Sequence, residues 1–222
     1  MKKYFEILQK CPLFFDIGES ELSSLLHCLG ARVEKFNKKY TVFTEGNPAK
    51  YIGIVLCGSV QTVTVDYYGN RSIVASAGRG ELIGEAFACA DIDSMPVSFI
   101  ANEPAEIMLI ECSRILYSCK NACGFHGRMI FNLMKNLANK NLSFHQRLEV
   151  TSKRTTREKI MAYLLQRAKL EDKRRFTIPF DRQELADYLE VDRSGLSAEI
   201  SKLRSEGIIF CRKNEFELLF EM

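Results

Sequence analysis

Two helix starts separated by one tight connection constrain the last third of this chain more than any other feature. Asp181-Arg182-Gln183-Glu184 sets an acidic N-cap three residues before a glutamate, a capping-box variant in which each residue can satisfy a backbone N–H of the other. The spacing predicts a short helix with Leu185, Ala186 and Leu189 inward. Glu190-Val191-Asp192 is then a tight connection. Asp192 can cap a second helix through Arg204, with Leu196, Ile200 and Leu203 as its apolar face. Gly207 follows, where a left-handed residue is wanted. Small Ala186 near the crossing and Val191 in the turn complete a helix-turn-helix pattern. Residues 208–211 and 216–220 are apolar runs flanking Arg212-Lys213-Asn214-Glu215, which reads as a hairpin and makes the motif a winged one.

A helix-turn-helix presents the N-terminal residues of its second helix to the major groove of DNA. Arg193 is the first exposed side chain there, and an arginine can donate two hydrogen bonds to guanine O6 and N7, worth about 1–3 kcal/mol of discrimination. Ser194 and Ser197 are short donors suited to base edges or phosphate. Lys202, Arg204, Arg212 and Lys213 are phosphate candidates, and Arg182 and Gln183 join them from the first helix. Lys153, Arg154 and Arg157 could add to the same face. The competing reading is a small helical domain with solvated charges. Net charge does not choose between them: 31 basic and 28 acidic residues give +3. Residues 1–150 carry 16 basic and 15 acidic, and residues 151–222 carry 15 and 13. The DNA reading rests on motif and local clusters.

The rest of the chain has two other textures. Residues 1–30 read as short helices, with Ser20 as N-cap and Ser23 at N3 of an incomplete capping box. Residues 31 to about 111 read as β. Runs at 51–56 and 59–65 carry β-branched and aromatic residues, and the second alternates Val60, Thr62, Thr64 against Gln61, Val63, Val65. Tyr68-Gly69-Asn70-Arg71 is a plausible hairpin turn, and a final strand is expected at 105–110. Seven of the thirteen glycines fall between Gly46 and Gly84, which suits many short strands in a sandwich or barrel.

Residues 124 to about 150 have no proline and no glycine beyond Gly127. Apolar positions recur at Ile130, Met134, Leu137, Phe144 and Leu148, a heptad seam whose missing position is Asn141. One polar Asn in such a seam fixes register in coiled coils, so the seam predicts a parallel homodimer helix. The alternative is a helix packed on its own β domain. A further helix is expected at 155–169, with Ile160, Leu164 and Leu165 facing one way, followed by a charged loop at 171–175.

No run approaches the roughly 18–20 apolar residues of a membrane helix, and the start shows no apolar segment of a signal peptide. A membrane, secreted or disordered protein is poorly supported, and a cytoplasmic location is expected. The eight cysteines form no CxxC pair and match no zinc or disulfide framework. Reduced thiols, mostly buried, are the default. Cys119 and Cys123 are the closest pair and the one local hint of redox or metal chemistry.

With a β-roll, a long helix and a winged helix-turn-helix in that order, essentially the whole chain resembles the Crp/Fnr family of bacterial transcription regulators. The most specific stretches are Phe180-Asp181-Arg182-Gln183-Glu184-Leu185-Ala186-Asp187-Tyr188-Leu189 with Val191-Asp192-Arg193-Ser194, and Gly80-Glu81-Leu82-Ile83-Gly84-Glu85-Ala86-Phe87. In the family the first reads DNA. The second holds the phosphate and ribose of a cyclic nucleotide, with Glu85 resembling the ribose-binding glutamate. The resemblance implies an effector pocket around Gly84, Glu85, Ala86, Met95, Pro96, Val97 and Ser98, faced by Asn141 and His145 of the long helix. It implies a dimer interface through Ile130, Met134, Leu137, Asn141, Phe144 and Leu148. It also implies a palindromic double-stranded operator, and RNA polymerase as a further partner to consider.

The departures from the family matter as much. Cyclic-AMP-binding members carry an Arg-Ser or Arg-Thr pair about ten residues after the glycine-glutamate step. Here that place holds Met95-Pro96, then Val97-Ser98. A phosphate buried without a cation costs several kcal/mol, and Glu85 alone would repel it. Cyclic AMP and cyclic GMP are therefore expected to bind weakly or not at all, unless Arg71 or Arg79 swings in. Iron–sulfur members cluster cysteines near the N-terminus, where this chain has only Cys11 and Cys28. Haem would need ligands such as His27, His126 or His145, and His145 reads better as a helix-surface residue. No cofactor is expected. In many members a Glu follows the recognition Arg, with a second Arg four residues further on; here those positions are Ser194 and Ala198.

The sequence thus predicts an α+β chain with three parts. These are a double-stranded β-helix (jelly-roll) sensor domain at 1–112, a linker and dimerisation helix at 113–150, and a winged helix-turn-helix at 151–222. Its expected function is a homodimeric DNA-binding regulator under control of an unknown small organic effector, and not an enzyme. One alternative keeps the fold but senses redox state or metal through Cys119, Cys123, Cys112 or Cys89. Another is a ligand-binding regulatory module that does not bind DNA.

Overall fold

The computed structural model describes residues 2–65, 67–68, 71–117 and 124–220. The chain divides into two compact units, residues 1–139 and 140–222. The division falls inside a long helix.

In the first unit a 3-10 turn at Lys2–Tyr4 leads into α1 (Phe5–Lys10), and a second turn at Pro12–Phe14 precedes α2 (Glu19–Cys28). Helix α2 starts two residues earlier than a Ser20 cap requires. Its N-cap is Gly18, whose N–H donates to Glu21 Oε2 at 3.0 Å. The glutamate supplies the capping oxygen, so no serine is needed there. Leu22, Leu25 and Leu26 face the core.

The β region follows as β1 (Arg32–Phe36), β2 (Thr41–Phe43), β3 (Tyr51–Cys57), β4 (Val60–Val65), β5 (Arg71–Ala77) and β6 (Leu82–Ile83). Helix α3 (Glu85–Cys89) then precedes β7 (Ser98–Ala101), β8 (Ala105–Glu111) and α4 (Cys112–Leu116). The strands form two antiparallel four-stranded sheets, ordered β1-β8-β3-β6 and β2-β7-β4-β5. One continuous core, from Ile52, Ile54 and Leu56 to Phe99, Ile107 and Ile110, draws on both sheets and on α1 and α2. This is the expected roll. Gly58 turns β3 into β4 at φ +76, and a Cβ there would lie 2.5 Å from the Pro104 carbonyl oxygen. Only glycine fits that corner.

Two details differ from the sequence pattern. The strict alternation of β4 does not hold: Val60 and Val63 are its buried residues, and its pairing with β5 slips between Thr62 and Val63. A bulge of this kind breaks the two-residue period. The β4–β5 hairpin forms, with Val65 opposite Arg71, but Gly69 and Asn70 of its expected turn lie outside the described residues.

Helix α5 (Gly124–Thr151) carries two stripes rather than one. His126, Met129, Asn132 and Leu133 are buried in the first unit. Asn132 Nδ2 donates to the Leu13 and Phe15 carbonyls at 3.2 and 2.8 Å, which ties the helix to the second 3-10 turn. Arg128 adds an ion pair to Asp16 at 3.1 Å. The expected seam lies elsewhere: Ile130 and Leu137 are half-buried, while Met134, Phe144 and Leu148 are 57, 64 and 63% exposed. The reading as a helix packed on its own β domain is realised by the first stripe, and half-buried Leu137 of the seam packs against the same core.

The second unit holds the end of α5, then α6 (Thr156–Glu171), β9 (Arg175–Thr177), α7 (Arg182–Leu189), α8 (Arg193–Ser205), β10 (Ile209–Arg212) and β11 (Glu215–Leu218). Helix α6 opens with a full capping box, Thr155 Oγ1 accepting from the Glu158 N–H and Glu158 Oε2 accepting from the Thr155 N–H. Ile160 and Leu164 are buried as expected. Leu165 is not: Tyr163 takes the third inward place. The charged loop is shorter than expected, because β9 takes Arg175 and pairs Phe176 with Phe216 on β11. A three-residue strand with one buried side chain leaves almost no periodic signal. Among the described residues no helix is long and apolar enough to cross a membrane.

Candidate functional site

The helix-turn-helix forms as its residues require. Asp181 Oδ1 accepts from the Glu184 N–H at 2.8 Å, and Glu184 Oε2 accepts from the Asp181 N–H at 2.8 Å. Helix α7 ends on Glu190 in left-handed backbone, and the Val191 N–H returns to the Ala186 carbonyl at 3.0 Å. Asp192 Oδ2 accepts from the Gly195 N–H at 2.8 Å and starts α8. Leu185, Ala186, Leu189, Leu196, Ile200 and Leu203 close one core with Ile209 and Phe216. Gly207 adopts φ +71, and the Ile208 N–H bonds the Leu203 carbonyl at 3.0 Å. The wing is a tight β10–β11 hairpin across Lys213 and Asn214.

This scaffold leaves the first turn of α8 open. Arg193 is exposed, and among the described residues no carboxylate pairs with it. Ser194 is exposed, but its hydroxyl donates to the Asp192 carboxylate. Ser197 is half-buried, and Ala198 is exposed. Lys202 and Arg204 are exposed on the last turns, as are Arg212 and Lys213 on the wing and Lys153 and Arg154 before α6.

Three of the anticipated contact residues are already engaged. Arg182 is half-buried, with Nη2 3.4 Å from the Lys213 carbonyl oxygen and its guanidinium over the Phe216 ring. It lines a cleft of about 550 Å³ with Phe180, Asp181, Glu184 and Lys213. Gln183 Nε2 donates to Asp187 Oδ1 at 2.9 Å. Arg157 is paired with Glu199 and Glu206 of α8 and its C-cap. Sequence spacing does not reveal that last contact, because the partners are brought together only by the packing of α6 on α8.

The electrostatics follow the hydrogen bonds. The Ser194 hydroxyl, with the Gly195 N–H, holds the Asp192 carboxyl below the ordinary aspartate range. Arg157 lowers the Glu206 carboxyl in the same way. Burial pushes the Tyr163 phenol up to about 12. Tyr163 packs there against Phe180 and Tyr188, and Arg147 stacks over Tyr188 while pairing with Glu190 at 3.5 Å.

In the first unit, Gly84 turns the chain into α3 at φ +74, and a Cβ there would lie 2.9 Å from Phe43 Cε2. This places the backbone of α3 against Phe43, which packs edge-on to Phe99. Glu85 is 3% exposed and Ala86 is exposed. Met95 and Val97 are buried side chains, and Met95 is pinned by its backbone to Asn47 and Gly46. Pro96 is exposed. Ser98 Oγ accepts from the Glu45 N–H at 3.0 Å. Asn141 and His145 are exposed on the part of α5 that belongs to the second unit.

The cysteines hold a further arrangement that the spacing in the sequence does not show. Cys89, the last residue of α3, and Cys112, the first of α4, have sulfurs 3.8 Å apart. Cys119 and Cys123 lie outside the described residues. Among the described residues no three His, Cys, Asp or Glu side chains converge as a metal site.

Two family models match the chain. Residues 33–120 match the cyclic nucleotide-binding domain, and residues 158–219 match the Crp-like helix-turn-helix domain. Solved structures share the fold. The c-di-GMP responsive global regulator CLP of Xanthomonas campestris is 18% identical, with 90% of this chain and 100% of that one covered at a TM-score of 0.56. DNR of Pseudomonas aeruginosa is 20% identical, with 100% and 96% covered at 0.52. No curated protein matches in sequence.

Proposed function

The chain belongs to the Crp/Fnr family of DNA-binding transcription regulators, and from that premise we propose that it acts as a homodimer. Each protomer reads one half of a palindromic operator through Arg193, and the dimer forms through the exposed seam of α5. The observation that carries this reading is the first turn of α8. It is capped by Asp192, backed by a closed apolar core, and presents an unpaired Arg193 to solvent. Arg193 then addresses a guanine, with Ser197 beside it. Lys202, Arg204, Arg212, Lys213, Lys153 and Arg154 supply phosphate contacts. Ser194 acts through the Asp192 cap as well as toward DNA, and Arg182 and Gln183 contribute by supporting the wing and α7.

The seam supports the dimer. Met134, Phe144 and Leu148 stand exposed on a helix whose other stripe already serves the core. Burying each such side chain in an interface is worth about 1.5–3 kcal/mol. Two recognition helices about 34 Å apart would then meet successive major grooves.

The effector reading rests on Gly84, Glu85, Ala86, Met95, Pro96, Val97 and Ser98 of the first unit. Buried Met95 and Val97 where a cation would be needed favour an uncharged or cationic organic ligand over a cyclic nucleotide. The ligand biases the population between two dimer geometries. RNA polymerase is a further partner of a regulator bound upstream of a gene.

The test is selection of bound sites from random duplex DNA by the full chain. The expected product is a palindrome with half-sites about one helical turn apart and a guanine in each. Enrichment of no sequence at all would overturn the reading.

A further inference from the structure

Cys89 and Cys112 meet where the end of α3 lies against the start of α4. Cys89 ends α3, the helix that Gly84 and Glu85 begin. Cys112 begins α4 directly after β8, and its N–H is held by the Lys50 carbonyl at 2.9 Å. The sequence separation of 23 residues gives no hint of the contact. A disulfide needs the sulfurs to close from 3.8 Å to about 2.05 Å.

The two thiols are also unlike. Cys89 is half-buried and reachable by a small oxidant, whereas Cys112 is 3% exposed. The contact with Cys112 holds the Cys89 thiol below its ordinary value, against the opposing effects of burial and of Glu85. The same contact, with burial, raises Cys112. This is the division of labour between an attacking and a resolving thiol.

We propose that Cys89 and Cys112 form a reversible disulfide when the protein meets a peroxide, stapling the end of α3 to the head of α4. The Cys89 thiolate attacks one oxygen of hydrogen peroxide, the O–O bond breaks, and the departing hydroxide takes up a proton as water. Cys89 is left as a sulfenic acid. Cys112 gives up its proton and attacks the Cys89 sulfur, the S–O bond breaks, and a second water leaves. Two thiols and one peroxide thus become one disulfide and two waters. A thiol reductant returns both cysteines by exchange. This site requires no organic ligand, so it goes beyond the effector reading.

The test is peptide mapping of the full chain, reduced, treated with hydrogen peroxide, and alkylated before digestion. The expected result is a linked pair of peptides bearing Cys89 and Cys112 that disappears on reduction. In the Cys112→Ser variant, Cys89 should instead accumulate as a sulfenic acid that dimedone traps. Hydrogen exchange across residues 85–89 should slow at least tenfold in the linked form. The proposal falls if the exposed Cys28 and Cys57 oxidise while Cys89 and Cys112 remain alkylatable, if Cys89 links elsewhere, or if exchange in α3 is unchanged by the linkage. The mass readout does not depend on DNA binding, so it separates failure of this site from failure of the regulator reading.

Discussion

Arg157 Nη1 lies 3.1 Å from Glu206 Oε1, a contact that closes the start of α6 onto the C-cap of the recognition helix. The same guanidinium reaches Glu199 at 3.3 Å. A basic residue beside a DNA-binding motif is thus spent on orienting that motif. Phosphate contacts set the slope of log affinity against log salt, by about 0.9 per neutralised phosphate. Arg157→Ala should weaken DNA binding yet leave that slope unchanged, whereas Lys202→Ala should reduce it by about 1. Binding isotherms across a salt series decide; a slope change in Arg157→Ala would make it a phosphate contact.

Arg193→Ala removes the one long donor at the start of α8. The selected operator should lose about 1–3 kcal/mol, roughly 5–150-fold, and preference at one base pair should relax. Affinity for unrelated DNA should change little. If the enriched sequence from Arg193→Ala matches that of the unaltered protein, Arg193 does not read a base.

The seam of α5 makes a prediction about assembly. Met134→Glu or Leu148→Glu would bury a carboxylate against its symmetry mate, at a cost of several kcal/mol. Each variant should sediment as a monomer at concentrations where the unaltered chain is a dimer. Neither side chain serves the core of its own unit, so thermal unfolding of the monomeric unit should be little affected. A variant that stays dimeric would move the interface elsewhere.

Cyclic AMP and cyclic GMP should give no measurable heat at micromolar concentration in titration calorimetry. Met95 and Val97 occupy the stretch where a phosphate partner is needed, and Ser98 is engaged with the Glu45 N–H. Micromolar binding would overturn this expectation.

Stability should fall at both ends of the pH scale, for opposite reasons. The Asp192 carboxyl sits below its ordinary value of 3.8 because Ser194 and Gly195 bond its charged form. Its contribution is present above that value and lost as pH drops through the depressed one. Glu206, held down by Arg157, acts in the same direction. Tyr163 is raised from 10 to about 12 by burial, so its contribution is complete below 10 and lost as pH rises through about 12. Unfolding curves against pH test this. Asp192→Asn should flatten the acid limb and Tyr163→Phe the alkaline one.

Much of this was legible in the residues alone, and the reason is locality. Asp181 and Glu184, Asp192 and Gly195, and Gly207 act within one helical turn of themselves, so caps, turn and wing follow from spacing. The roll follows from short β-branched runs punctuated by glycine. The sequence also determined the seam of Met134, Phe144 and Leu148, a pattern of period 3.5. What only the tertiary structure decided are contacts between residues far apart in the chain. Asn132 takes the second stripe of α5 to the carbonyls of Leu13 and Phe15. Arg157 turns from solvent to Glu206. Cys89 finds Cys112 only because β7 and β8 carry the chain back beside α3. Periodicity reports which face of an element is apolar, but which element meets that face is set by packing, and packing is a property of the whole core.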